Sequence, residues 1–362
     1  MDRPRAAAVA RRDCRSGPLD RAPGRRRGAA ALSGDGGTIV LATPAFDTPL
    51  SAEAIARIES IDGVRVVTVS AEGRVHDDRE PELAEARVLL RGSIPAPVLD
   101  HLLARAPKVE WIHSVSAGID RVLTPTVRAR GIAVTNARGV FSPPIAEYVV
   151  MMMLATARHL PQLLELQRER TWQPLRGREL AELTLGIVGF GSIGAEVARL
   201  LEPFGTRIVA TRRRPERSAV AANVELYGFD HLDELLRAAD IVLVAAPLTE
   251  ETAGLIGVAQ LQEMREHAWL INVARGRLID EMALRRALES GWIGGAVLDV
   301  FAEEPLPPES PLYRTPNLII TPHTSWSSNR VAARSLELFV DNLRRFVDGE
   351  PLANLVDVEA GY

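Results

Sequence analysis

The stretch from Leu183 to Gly194 constrains this chain more than any other part of it. A short apolar run ending at Val188 leads into Gly189, Gly191 and Gly194 at G-x-G-x-x-G spacing, and the helical pattern Val197, Leu200, Leu201 follows. That order predicts a strand, a tight turn and a helix. Gly189 lets the chain turn sharply, Gly191 lets backbone N–H groups approach a pyrophosphate with no Cβ in the way, and Gly194 lets the helix sit close on the strand. The phosphates would then rest on the helix N-terminus at Ser192 and Ile193, where unpaired N–H groups and the helix dipole favour an anion.

At 362 residues the chain is long enough for two ordinary domains, each with its own core. Its net charge of −4 argues against a nucleic-acid binder, because no basic face dominates the sum. Cys14, the single cysteine, excludes an intramolecular disulfide and a cysteine-built zinc site, and fits a reducing cytoplasm. The apolar run from Tyr148 to Ala155 is far too short to span a membrane. The N-terminus lacks a hydrophobic signal core, so no export signal is expected.

Residues 1–37 are arginine, alanine, glycine and proline with little periodicity, and they read as a disordered extension. From Thr38 short apolar strands alternate with helices: strands at 38–42, 64–69, 86–90, 109–112 and 131–136, helices at 52–61 and 98–104. Ser142-Pro143-Pro144 breaks this pattern, and one long helix is expected from Ile145 to about Arg168. A second α/β unit starts at Leu183, with strands at 207–211, 224–227, 241–245, 268–273, 295–300 and 317–321. Its clearest helices are 231–239, 281–289 and 329–347. Such alternation implies parallel pairing with crossovers, so the expected fold class is α/β, with a doubly wound Rossmann sheet and a smaller flavodoxin-like unit.

Chemistry gathers at strand ends of the second unit, where open parallel sheets place ligands. After the strand ending at Thr211 comes Arg212-Arg213-Arg214, with no acid at the point where an Asp or Glu would accept hydrogen bonds from ribose hydroxyls. A guanidinium there suits a 2′-phosphate, so NADP is expected over NAD; a solvated surface run is the bland reading. Asn272-Val273-Ala274-Arg275-Gly276, then Asp299-Val300-Phe301-Ala302-Glu303-Glu304-Pro305, then Thr321-Pro322-His323 follow successive strands. An arginine, a carboxylate and a histidine could thus face one crevice. The remaining histidines show no metal spacing, and no metal is expected.

The glycine turn and the last three of these motifs, in series, resemble the D-isomer-specific 2-hydroxyacid dehydrogenase family over Thr38 to about Val356, with Arg212 standing where its NAD-using members carry an acid. The resemblance implies an NAD(P)-dependent 2-keto acid reductase of the glyoxylate/hydroxypyruvate type, with Arg275 binding substrate, Glu304 as partner carboxylate and His323 as acid/base. It implies Asp299 at the nicotinamide carboxamide and Ala246-Pro247 along the adenosine half. Ala117 and Gly118, in a loop of small residues, are implied at the substrate carboxylate with Arg275. Trp326 could bound the substrate side chain or pack on the interdomain helix. The acyl substituent would be read by loops around Gly73–Asp78 and Gly92–Ile94. The implied domains are 38–143 with 327–356 for substrate and 144–326 for dinucleotide, assembled as a homodimer through the extended helix. The chemistry itself needs a fixed fork for a carboxylate and a proton donor for the forming alkoxide, and a carboxylate beside His323 favours its charged imidazolium. Ordinary alternatives are a solvated turn at Glu304, a surface pair Arg275–Arg277 and a capping or core histidine. A cofactor-dependent co-repressor on the same fold is the rival from another class. Formate oxidation is disfavoured, since members with that activity carry glutamine where Glu304 stands.

Overall fold

The computed structural model describes residues 37–45, 49–75, 77–119, 121–215 and 223–358. The expected N-terminal extension, with Cys14, lies outside the described residues but for Gly37, as does His76 of the 73–78 loop.

Five parallel strands, β1 (Thr38–Ala42), β2 (Val64–Thr68), β3 (Val88–Arg91), β4 (Trp111–Ser114) and β5 (Ala133–Asn136), form one sheet in the order β2-β1-β3-β4-β5. This is the flavodoxin-like order. Its crossovers carry α1 (Ala52–Glu59), α2 (Glu80–Leu83), α3 (Ala96–Arg105) and α4 (Pro125–Arg130). Ser51 caps α1 by accepting from Ala54 N–H at 3.2 Å. Then come α5 (Ser142–Ala157) and α6 (Leu160–Arg168). The second sheet holds β6 (Thr184–Val188), β7 (Arg207–Thr211), β8 (Val224–Tyr227), β9 (Ile241–Val244), β10 (Trp269–Asn272), β11 (Gly295–Leu298) and β12 (Leu318–Ile320). Their order, β12-β11-β10-β9-β6-β7-β8, reverses direction beside β6, which makes the sheet doubly wound. The helices α7 (Ser192–Leu201), α8 (Leu232–Ala238), α9 (Val258–Glu263) and α10 (Glu281–Glu289) cover it.

Because both faces of a parallel sheet are covered, its strands are apolar on both sides, and β9 is buried along its whole length. One face packs under α5 and α7, through Val149, Met153, Val197 and Leu201. The other packs under α8 and α10, through Leu235, Leu236, Leu284 and Leu288. The C-terminal helix α11 (Val331–Val347) returns to the first sheet, where Phe339, Val340 and Leu343 pack against Val40, Val66 and Trp111. No helix among the described residues is long and apolar enough to cross a membrane.

The single helix expected over 145–168 is two helices. Pro161 has no N–H to give the carbonyl of Ala157, and its ring would crowd that oxygen. The Ala157 carbonyl accepts Arg178 N–H at 2.9 Å instead, and His159 turns the chain with a left-handed φ of 56°. Three of the first-unit strands, β3, β4 and β5, also begin two residues later than expected. Pairing of Val88 with Trp111 and of Trp111 with Ala133 sets where all three begin, and isolated β-propensity cannot see that.

His113 is fully buried between Trp111 and Phe339. The Trp111 indole N–H donates to Thr135 Oγ1 at 2.9 Å, and His113 Nδ1 shares a hydrogen bond with the same hydroxyl at 2.8 Å. The buried ring is held neutral, because burial pushes its pKa down from 6.5 to about 4. Between these values the unfolded chain binds a proton that the folded chain does not, so stability falls as pH drops from 6.5 to 4. The loss attributable to this ring is about 3 kcal/mol. Denaturant unfolding of wild type and His113→Leu across that range should give a shallower pH dependence in the variant; parallel curves would refute the assignment.

Candidate active site

The register of the second sheet brings the site together. Thr211 pairs with Val188, Val188 with Val244, Val244 with Asn272, Asn272 with Leu298 and Leu298 with Ile320. Six strands thus end in one row, and the motifs that follow them share one edge. With strands about 4.8 Å apart, the ends of β10 and β12, which precede Arg275 and His323, lie roughly 10 Å from each other.

In the glycine turn, Gly189 has φ 95°, and a Cβ on it would stand 2.5 Å from the backbone N and Cα of Ala246. The N–H groups of Gly189 and Phe190 both donate to Thr211 O, at 3.1 and 2.8 Å, which ties the turn to β7. Gly191 is exposed, and a Cβ there would meet nothing within 4 Å. The backbone bond from Ala195 N–H to Gly191 O at 3.0 Å opens α7, so the N–H groups of Ser192, Ile193 and Gly194 precede the helical ladder. An open backbone surface in front of a helix N-terminus is the cradle that a pyrophosphate requires. Arg212 leaves β7 half-buried, its N–H bonded to Tyr227 O at 2.9 Å. Arg213 is paired with Glu251 at 3.4 Å. Ala246 is buried against the turn, and the exposed Pro247 has its carbonyl taken by Thr252 Oγ1 at 2.7 Å.

Arg275 is presented by a clamp that the sequence reading did not include. The buried Asn272 accepts Ala274 N–H at 3.0 Å and donates to Arg275 O at 2.9 Å, closing the turn after β10. Gly276 completes it, because a Cβ there would lie 1.9 Å from the Phe301 carbonyl carbon. Arg275 itself is half-buried, with Nη1 donating to Ala274 O at 2.7 Å.

His323 Nδ1 lies 2.8 Å from Glu304 Oε2, and Glu304 Oε1 accepts Phe301 N–H at 2.9 Å. A carboxylate so placed accepts the Nδ1 hydrogen and leaves Nε2 as the working atom. His323 adopts a left-handed φ of 48°, and its N–H donates to the backbone oxygens of Asp299 and Thr321 at 2.8 and 3.0 Å. The Asp299 carboxylate, fully buried, takes Thr321 Oγ1 at 2.6 Å and the N–H groups of Thr324 and Ser325 at 2.9 Å each. Its observed duty is thus to anchor the segment carrying His323. Tyr148 of α5 adds a further link, its hydroxyl 2.7 Å from Thr321 Oγ1.

In the first unit, Ala117 and Gly118 follow β4. Asn136 Nδ2 donates to Ala117 O at 2.9 Å and Ser116 Oγ to Gly118 O at 2.7 Å, so these bonds engage the loop's carbonyls and not its amides. Trp326 packs edge-on against Phe141, ring centroids 6.1 Å apart, beside the start of α5. Asn272 carried a legible signal, a polar residue ending an apolar strand; Tyr148 and Thr321, 173 positions apart, carried none.

The family model of the D-isomer specific 2-hydroxyacid dehydrogenase NAD binding domain matches residues 150–325. Glyoxylate reductase of Thermofilum pendens is 38% identical over 279 residues, spanning 75% of this chain and 80% of the relative. The chain belongs to the D-isomer specific 2-hydroxyacid dehydrogenase family. A family member from Xanthobacter autotrophicus, solved with NADPH and MES, superposes with a TM-score of 0.79 at 32% identity, covering 90% of this chain and all of that one. The NADPH-dependent glyoxylate/hydroxypyruvate reductase of Sinorhizobium meliloti, solved with NADP and sulfate, gives 0.76 at 27%, with 90% and 100% covered. As a member of this dehydrogenase family the chain is an oxidoreductase, and its fold is the α/β pair of sheets that its sequence implied.

Gly189→Ala should keep the fold but weaken binding of NADPH, because a left-handed residue forced against Ala246 costs about 1–3 kcal/mol. Titration of nicotinamide fluorescence should show roughly a tenfold or greater rise in Kd; an unchanged Kd would contradict this account of the turn.

Proposed function

We propose that this dehydrogenase reduces a small 2-keto acid, such as glyoxylate, hydroxypyruvate or pyruvate, to the D-2-hydroxy acid, with NADPH preferred to NADH. The observation that carries this reading is the His323–Glu304 pair at 2.8 Å, set on the same row of strand ends as Arg275. The glyoxylate and hydroxypyruvate reductases among its relatives support the substrate class.

When bound, the reduced nicotinamide supplies the hydride equivalent for C2 of the substrate. Gly189, Gly191, Ser192, Ile193 and Gly194 would hold the pyrophosphate, Ala246 and Pro247 would line the adenosine half, and Arg212 with Arg213 would meet the 2′-phosphate. The carboxamide end of the cofactor would reach Asp299. Arg275 binds the substrate carboxylate together with the Ala117 and Gly118 amides, and its guanidinium stabilises the negative charge that develops on the carbonyl oxygen. His323 delivers the proton to that oxygen from Nε2, while Glu304 holds Nδ1–H and stabilises the imidazolium that must lose it. Trp326, braced on Phe141, stands at the margin of the substrate's side chain. The parts 38–143 with 327–356 and 144–326 would close on each other to exclude water. The enzyme would work in the cytoplasm.

A homodimer is part of this reading. Met151, Leu154, Leu160, Leu163 and Leu164 of α5 and α6 are exposed large apolar side chains, and Trp172 just beyond them is 99% exposed. Exposed apolar side chains concentrated on this stretch of chain are what a second copy would cover. Light scattering should report twice the chain mass for wild type and a shift toward monomer for Leu164→Asp/Trp172→Asp; a monomeric wild type would remove the dimer.

A substrate panel run with both cofactors tests the activity. Turnover of at least one 2-keto acid is expected, with His323→Ala lowering kcat by roughly 10²–10⁴-fold. Cofactor binding without turnover of any 2-keto acid would favour a cofactor-sensing regulator. Arg212→Asp should move the NADPH/NADH ratio of kcat/KM toward NADH by about tenfold or more, the scale of one charge-assisted contact. A ratio unmoved by that substitution would overturn the cofactor preference.

A further inference from the structure

Tyr148 sits on α5, in the core shared with Val149, Met152, Ile187 and Phe190, with its ring almost wholly buried. Its hydroxyl meets Thr321 Oγ1 at 2.7 Å, and Thr321 Oγ1 in turn donates to Asp299 Oδ1 at 2.6 Å. The direction of this chain is determined. Thr321 has one hydroxyl hydrogen and gives it to the carboxylate, so toward Tyr148 it can only accept, and the phenol donates. Burial pushes the phenol's pKa up to about 12, against the smaller opposing effect of the Thr321 contact, so that hydrogen stays in place over any working pH. The result is a one-way relay of donors, Tyr148 to Thr321 to Asp299, whose bonds polarise one another.

The relay ends where the site is most demanding. Asp299 holds Thr321 before His323, and Thr324 and Ser325 after it, so His323 is bracketed on both sides by one buried carboxylate. The bracket matters because His323 stands in a left-handed conformation that a β-carbon residue leaves when unsupported. We propose that Tyr148 is a positioning residue for the proposed reduction: its hydroxyl, acting through Thr321 and Asp299, holds the 321–325 segment so that His323 Nε2 meets the substrate oxygen. The relay also joins the loop to α5, the helix that leads out of the first sheet, so the placement of His323 is tied to the connection between the two units. Tyr148 does not touch the reacting atoms; it acts entirely through other groups.

This inference rests on the reductase reading, and its test separates the two. Tyr148→Phe keeps the ring and removes only the hydroxyl. In the NADPH-saturated enzyme it should lower kcat roughly three- to tenfold, the scale of one lost hydrogen bond, with KM for the keto acid and Kd for NADPH within about twofold. Thr321→Val should do the same, Thr321→Ser should restore the rate, and Tyr148→Phe/Thr321→Val should be no slower than Thr321→Val alone, since both cut one chain. An unchanged kcat in Tyr148→Phe, or additive losses in the double variant, would overturn the proposal. A second readout needs no turnover. The imidazole ¹H–¹⁵N signals of His323 in the NADPH-bound protein should shift or broaden in Tyr148→Phe, whereas identical spectra would refute a positioning role. Absence of any keto acid turnover by wild type would instead remove the reductase reading and leave the spectroscopic result to decide the relay.

Discussion

Parallel register in the second sheet is the constraint from which the rest of the site follows. Strands that all run the same way end on the same edge, and β7, β6, β9, β10, β11 and β12 end in one row. The glycine turn, Arg212, Arg275, Asp299 and His323 therefore emerge side by side although more than a hundred residues separate the first from the last. Slipping one strand by a single residue would turn its apolar side chains toward the wrong helices, so burial on both faces holds this row in place. Placement of the chemistry is in this sense a by-product of the hydrophobic core.

Register alone leaves the strand-end loops loose, and buried polar side chains tighten them. Asn272 closes the turn under Arg275, and Asp299 gathers the loop around His323. Both are fully buried, and a buried amide or carboxylate is tolerable only when its hydrogen-bonding capacity is met. That requirement makes each of them a geometric specification: the loop must adopt the shape that satisfies the group. The opposite edge of the same sheet uses the same device. Burial would raise the pKa of Asp240, but His267, the Thr184 N–H and Arg178 outweigh it and hold that pKa down at about 2, stitching β6, β9 and the approach to β10.

Much of the fold was legible in the chain because its signals are local. The glycine spacing, the apolar runs and the prolines at 143 and 144 act within a few residues of themselves, and the structure follows them closely. The break between α5 and α6 was legible too, in Pro161, but a long apolar pattern masks the single missing N–H. Boundaries in the first sheet drifted because β-strand ends are set by the partner strand.

The sequence by itself determined the alternating α/β architecture, the sharp turn at Gly189 and the identity of the arginine, carboxylate and histidine that follow strand ends. Steric rules and side-chain chemistry act on neighbours along the chain, so these need no knowledge of packing. Only the tertiary structure decided that Glu304 takes the Nδ1 side of His323, that Glu251 engages Arg213, that Trp326 leans on Phe141, and that Tyr148 reaches Thr321. Hydrogen bonds and ring contacts of that kind depend on distances of a few ångström between residues remote in sequence. Those distances exist only once the cores have closed.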